Sequence, residues 1–205
     1  SFLKLAFHLY GLFQTRYQLH LTVYTHPVVR SIEFMIYEVL KEADLELDIS
    51  GKIDNPANFC QINDNIMDII SFLNNSNLEK SKHILQRINN RNLYKYVGEV
   101  ILAQNDKQNY NYQKLLDLNM DLHEIENDDI ILDLVFLGNS SDPIENTKFY
   151  DISTNIIQKS NKREISLLIP DEFSEKRLRF YCTNNQKLEL VKELYNQFKK
   201  KYQYN

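Results

Sequence analysis

The sequence contains no tryptophan, four glycines, four prolines and two cysteines among 205 residues. With so little glycine there is no Gly-rich phosphate loop, and no Gly-x-Gly-x-x-Gly or Gly-x-x-x-x-Gly-Lys pattern occurs. Cys60 and Cys182 stand far apart, which excludes a disulfide framework and a thiolate metal cluster and points to a reducing compartment. No apolar run is long enough to cross a bilayer. The apolar opening, Ser1 to His8, is broken by Lys4 and His8 and lacks a small-residue cleavage site, so a signal peptide is not expected. Neither a methionine nor a helix cap precedes Phe2, and we expect a chain that starts inside a helix of a longer protein. There is no His-Asp dipeptide, and His123-Glu124 lacks the second histidine of a zinc-protease helix. His83 also has no partner at metal spacing. Excess positive charge is missing too: the formal net charge is −4, which argues against a dominant nucleic-acid surface but not against a local phosphate pocket.

What is present describes a globular chain. Apolar residues make up 43% and charged residues 25%. The length suits one compact domain, or one domain plus part of another. Residues 2–24 repeat apolar side chains at helical spacing, at Phe2, Leu5, Leu9, Leu12, Phe13, Leu19 and Val23. Pro27 kinks that helix or opens a new one, with Thr25 the expected N-cap. Residues 28–43 form the clearest amphipathic helix, with Arg30, Glu33, Glu38, Lys41 and Glu42 on its polar face. Helices are predicted near 59–73 and 78–89, the second capped by Asn77. Leu93 to Ala103 reads as a strand, and Asn105 to Asn111 as a polar loop. Further strands are expected at 130–137, 148–150, 152–157 and 177–182, around a turn at 139–143. Residues 187–202 form a last amphipathic helix. Helices, then strands, then a helix make an α+β arrangement, with the best division near 51–58.

Three groups of residues are candidates for chemistry. Arg16, His20 and Tyr24, spaced by four, fall on one drifting stripe of a helix. A guanidinium, an imidazole and a phenol on one face suit a polyanionic ligand with a ring. On spacing alone, a plain polar surface is the commoner explanation. His26, beside Pro27, reads alone as a capping or packing histidine. Arg91 and Lys95 lie four apart among aromatics, and Lys159, Lys162 and Arg163 form a short basic cluster. A helix-to-strand junction with solvated charges is the alternative for the first, and for the second a solvated turn is the commoner explanation. No self-sufficient catalytic centre is present.

Four segments carry a resemblance when taken together. Leu9-Tyr10-Gly11-Leu12-Phe13-Gln14-Thr15-Arg16, with Leu19-His20 and Tyr24-Thr25-His26, is the first, and Arg91 to Glu99 the second. Asp142-Pro143-Ile144 with Phe149-Tyr150 is the third. Leu168-Ile169-Pro170-Asp171-Glu172-Phe173 with Arg179-Phe180-Tyr181-Cys182 is the fourth. In this order they resemble the SAM-and-HD-domain deoxynucleoside triphosphate triphosphohydrolases, over nearly the whole chain. The resemblance implies hydrolysis of a dNTP to a deoxynucleoside and triphosphate. It implies a divalent metal (Mg, Mn, Zn or Fe) held by an HD motif upstream of the matched part, so that this chain carries no metal ligands and no catalytic residues of its own. Arg16 matches a substrate-phosphate contact, His20 a histidine of the same pocket, and Tyr24 the residue that packs on the deoxyribose. His26, Arg91, Lys95 and Lys162 match positions that bind an activator nucleotide, GTP or dGTP, between subunits of a homo-oligomer.

The implied organisation places the end of an all-α HD domain in residues 1–50 and a mixed helix and antiparallel-strand lobe in 51–205. No membrane or nucleic-acid partner is implied, and the location is intracellular, cytoplasmic or nuclear. Leu21 and Thr22 stand where better-studied members have arginines, and Pro27 where a lysine is usual. Each lost phosphate contact costs on the order of 1–3 kcal/mol. That departure motivates a second reading, a regulatory and assembly module of an inactive HD-family protein.

Overall fold

A computed structural model describes residues 2–103, 108–118, 120, 124–151, 156–158 and 162–202. His123, Lys159, residues 152–155 of a predicted strand and the 105–107 part of the polar loop lie outside them. The fold is α+β. Helix α1 (Phe2–Leu19) passes into one π-helical turn, His20–Tyr24, and α2 (Pro27–Leu47) follows. Short helices α3 (Pro56–Phe59) and α4 (Ile66–Phe72) lead to α5 (Glu79–Asn89). Strand β1 (Lys95–Leu102), helix α6 (Tyr112–Asp117) and β2 (Ile130–Gly138) come next. Then come β3 (Phe149–Asp151), β4 (Ile156–Gln158), α7 (Lys162–Ile165), β5 (Ser174–Cys182) and α8 (Leu188–Tyr202).

Three expected features are corrected. The N-cap of α2 is His26, not Thr25: His26 Nδ1 accepts from the Val28 N–H at 3.2 Å. Pro27 sits at N1, where its missing N–H costs nothing. The predicted helix 59–73 is two short pieces, because asparagine side chains compete for the backbone between them. Asn55 caps α3, and Asn63 Oδ1 accepts from the Asn65 N–H at 3.0 Å. Asn75, not Asn77, caps the turn before α5. Helices α6 and α7 are too short to leave a periodic signal.

The sheet is antiparallel with order β1-β5-β2. Side chains alternate between its faces. Val100, Leu178, Phe180 and Cys182 face α8, whose Val191, Leu194 and Phe198 close this core. Phe198 stacks on Tyr202 and meets Phe180 at 5.1 Å between centroids. Gly98 lies at a bulge in β1, where a Cβ would collide with the Tyr195 ring. A second core joins Met35, Val39 and Ala43 of α2 to Ile70, Ile84 and Tyr94, so it draws on both sides of the 51–58 stretch. A small third core sets Ala6 of α1 against Ile144 and Phe149. The rest of α1 is thinly covered: Leu5, Phe7, Leu12, Leu19 and Val23 are exposed.

Candidate functional site

Helix α1 lies along the end of the sheet where β2 stops and β5 starts. Two contacts set it there: the Tyr17 hydroxyl donates to Glu175 at 2.8 Å, and Arg16 donates to Asn139 Oδ1 at 3.0 Å. Asn139 can reach Arg16 because Gly138 turns with φ +88°. A Cβ at Gly138 would strike the Phe173 carbonyl oxygen, which accepts from the Asn139 N–H at 2.7 Å. Only glycine fits such a left-handed position at close approach. Nearby, the Tyr10 hydroxyl donates to Asp142 at 2.6 Å while its ring stacks on Phe173. Burial first, then the adjacent carboxylates, hold the Tyr10 and Tyr17 phenols above their ordinary pKa. Both stay protonated donors at neutral pH.

A cleft of about 850 Å³ opens along this face. Arg16 and His20 line it, with Phe7, Phe13, Tyr17 and Phe173 among its apolar and aromatic walls. Tyr24 does not line it. Its ring lies 5.2 Å from that of His20, tilted by 56°, and it is 59% exposed. The reason is the π turn: the Thr25 N–H bonds back five residues to the His20 carbonyl at 2.9 Å. A π turn spends one residue more than an α turn. Tyr24 therefore falls behind the Arg16–His20 stripe that strict α spacing predicts. Such single π turns recur at functional sites. His26 is exposed and committed to capping α2.

The other face of the sheet holds charges largely shielded from water, Arg179 and Asp133 most fully. Arg179 of β5 is 1% exposed and sits in register between Glu99 of β1 and Asp133 of β2. Its Nε donates to Glu99 at 2.8 Å, and its Nη1 donates to the Thr25 carbonyl. Asp133 is gripped by both ends of the Arg30 guanidinium, at 3.0 and 2.7 Å. Arg177 pairs with Glu99 and, at 2.7 Å, with Glu175. Hydrogen bonding to Asp133 raises the Arg30 pKa further, outweighing the burial that lowers it. Tyr96, beside Glu99, is pushed up to about 12, chiefly by burial. The polar face of α2 is thus only partly solvated, because Arg30 serves the sheet and Glu38 accepts from the Tyr94 hydroxyl.

Arg91 and Lys95 lie at the far end of the sheet from Lys162. Lys95 faces Cys182, the last residue of β5. The Lys162 ammonium pairs with Asp171 at 2.8 Å and sits 5.1 Å above the Phe173 ring, just before β5 begins. The length of β5 separates them by roughly 27 Å. Within one chain they do not form one site. Arg91 takes the left-handed position after α5, with φ 56°, where glycine is usual. Its N–H donates to the Ile88 carbonyl and the Asn92 N–H to that of Arg87, closing the helix end. A polar hollow of about 470 Å³ lies nearby, lined by His83, Arg87 and Asn92. Among the described residues no group of three His, Cys, Asp or Glu side chains could hold a metal ion.

Sequence reasoning missed Asn139, Tyr17 and the buried Glu99–Arg179 pair. A signal for the pair existed. Glu175, Arg177 and Arg179 alternate with Leu178 and Phe180, and in a sheet covered on both faces such charges must be paired.

A family profile described as HD associated region matches residues 11–192. A deoxynucleoside triphosphate triphosphohydrolase SAMHD1 homolog of Dictyostelium discoideum is 37% identical over 97% of this chain and 40% of its own length. The deoxynucleoside triphosphate triphosphohydrolase SAMHD1 of Xenopus laevis is 30% identical over 93% of the chain and 34% of its own length. That of Homo sapiens is 28% identical over 85% of the chain and 31% of its own length. The chain spans well under half the length of these relatives.

Proposed function

Because the chain belongs to the HD-associated-region family of HD-domain dNTP triphosphohydrolases, we propose that it is the nucleotide-gripping and assembly part of such an enzyme. Arg16 grips substrate phosphate, His20 stands beside it in the cleft, and Tyr24 flanks the sugar. The observation that carries this reading is the Arg16–His20 pair at the open cleft, where among the described residues the guanidinium has a neutral amide for its partner. An arginine that meets no carboxylate keeps its charge available to an anion. In this reading residues 1–50 end the catalytic HD domain and 51–205 form the assembly lobe. In this reading a divalent cation belongs to the whole enzyme, and no step here runs through it. His26, Arg91, Lys95 and Lys162 serve an activator nucleotide held between chains. A residue kept at the strained Arg91 position favours such a use of its side chain.

The commitment of His26 to capping, with Pro27 behind it, favours a second reading in which activator control is weak or the parent is an inactive assembly protein. Kinetics on the full-length protein separate the two. The enzyme reading expects dATP hydrolysis to deoxyadenosine and triphosphate, and a roughly 10- to 100-fold lower kcat/KM in Arg16→Ala, the range of a lost charged hydrogen bond. Unchanged turnover in that variant removes Arg16 from the substrate site. A parent with no turnover leaves the assembly reading.

A further inference from the structure

We propose that Arg179 is a positioning residue, which holds the Thr25 carbonyl and so fixes the π turn that presents His20 and Tyr24. Thr25, with the N-cap His26, joins α1 and its π turn to α2. Its N–H and its hydroxyl both end on the His20 carbonyl, at 2.9 and 2.7 Å. Its own carbonyl precedes the α2 N-cap and lies outside the hydrogen-bond ladder of that helix. The partner it finds is the buried Arg179 guanidinium, reaching across from the middle strand of the sheet.

The surroundings fix how Arg179 is aimed. Of the two carboxylates beside it, Asp133 is held by the fork of Arg30. Glu99 anchors the Arg179 Nε at 2.8 Å and is braced from the other side by Arg177. The planar guanidinium is thus fixed by one edge and aims its remaining edge at Thr25. A buried ion pair is rarely the most stable filling for such a layer, and apolar residues of equal volume often match it. What the pair supplies is direction: a rigid donor aimed at the residue that closes the turn. Lysine cannot do the same, because its ammonium is a single point and cannot hold Glu99 and Thr25 in one plane.

The proposal rests on the reading that His20 and Tyr24 face a nucleotide, but its structural half is testable without that reading. The experiment uses the full-length protein and its Arg179→Lys variant. Amide hydrogen exchange is read by mass spectrometry in peptides covering 20–26 and 174–182. We expect about tenfold faster exchange in 20–26 with β5 still protected, the pattern of local rather than global opening. Unchanged exchange in 20–26 overturns the proposal. Should the lysine variant fail to fold, Glu99→Gln releases the anchor while keeping the strand pairing, and the same two peptides decide. Turnover is the second arm. The ratio of kcat/KM for dATP to that for ATP should fall in the variant as Tyr24 loses its setting, whereas a merely structural lesion lowers both rates and keeps the ratio. A retained ratio alongside faster exchange also overturns the proposal, since the turn then does not set selectivity. Absence of dATP turnover in the unaltered protein counts against the function assigned to the site, and the exchange arm still decides the clamp.

Discussion

Arginines on two sides of this molecule keep different company. Between the helices and the sheet, Arg30, Arg177 and Arg179 each meet a carboxylate within 2.8 Å. At the cleft, among the described residues, Arg16 meets the Asn139 amide and no carboxylate. A paired, covered guanidinium is spent on architecture. One left facing a neutral acceptor at an open cleft still has its charge to offer. The contrast separates guanidiniums committed to the fold from one left open to an anion, and it can be broken from either side.

The largest effect should come from the covered side. Asp133→Ala removes the buried anion between Arg30 and Arg179; Arg30 keeps Glu33 at 2.6 Å and is partly solvated, so the loss falls at the low end of a broken buried pair, about 3 kcal/mol. Urea unfolding of the variant should show that loss, and a loss within experimental error would mean the layer is wetter than its burial implies. At the cleft, Arg16→Ala should behave in the opposite way. Its single exposed hydrogen bond contributes little to stability, so the melting temperature should hold while dATP turnover falls.

A smaller effect is expected in acid. Burial alone would raise the Asp129 pKa, but the Lys187 ammonium at 2.6 Å, the Glu126 N–H and the Asn184 amide together hold it below its ordinary value of 3.8. A depressed carboxylate stabilises the fold fully above that ordinary value and loses its contribution as pH falls through the folded pKa. Asp129→Asn should therefore cost on the order of 1 kcal/mol near neutrality. The gap from the unaltered protein should shrink as the pH falls below 3.8 and through the folded pKa, and urea titrations at several pH values check both ends.

These contrasts also explain how much the sequence disclosed. Helices α2 and α8 were legible by their period, β2 by its continuous apolar run, and β1 and β5 by apolar residues in strand-length stretches, β5 only from 177 on. Arg16 and His20 were legible as an i, i+4 pair. Tyr24 was legible in identity but not in position, because nothing in His20-Leu21-Thr22-Val23-Tyr24 announces a turn widened by one residue. The caps before α2 and α5 were misassigned by one or two residues, since Thr25, His26, Asn75 and Asn77 are all competent acceptors and only the local backbone decides. The Glu99–Arg179–Thr25 link was hidden for another reason. It joins residues 80 and 154 positions apart, and no local pattern carries a contact of that range.

Lys162 lies between the two classes of cation, and it should give the smallest effect. Its ammonium has a carboxylate partner, like the buried arginines, yet that partner, Asp171, is fully exposed. Water then screens the pair, and exposed pairs commonly contribute nothing measurable to stability. The pairing is nonetheless visible in titration. The hydrogen bond from Lys162, and then its charge, hold the Asp171 carboxyl below 3.8. In Lys162→Met, which keeps the stem over the Phe173 ring, the Asp171 resonance should titrate closer to 3.8 while the melting temperature stays put. A fall in melting temperature instead would move Lys162 into the structural class. An unmoved melting temperature with weaker binding of GTP to the full-length protein would place it with Arg16, among the charges left available to an anion.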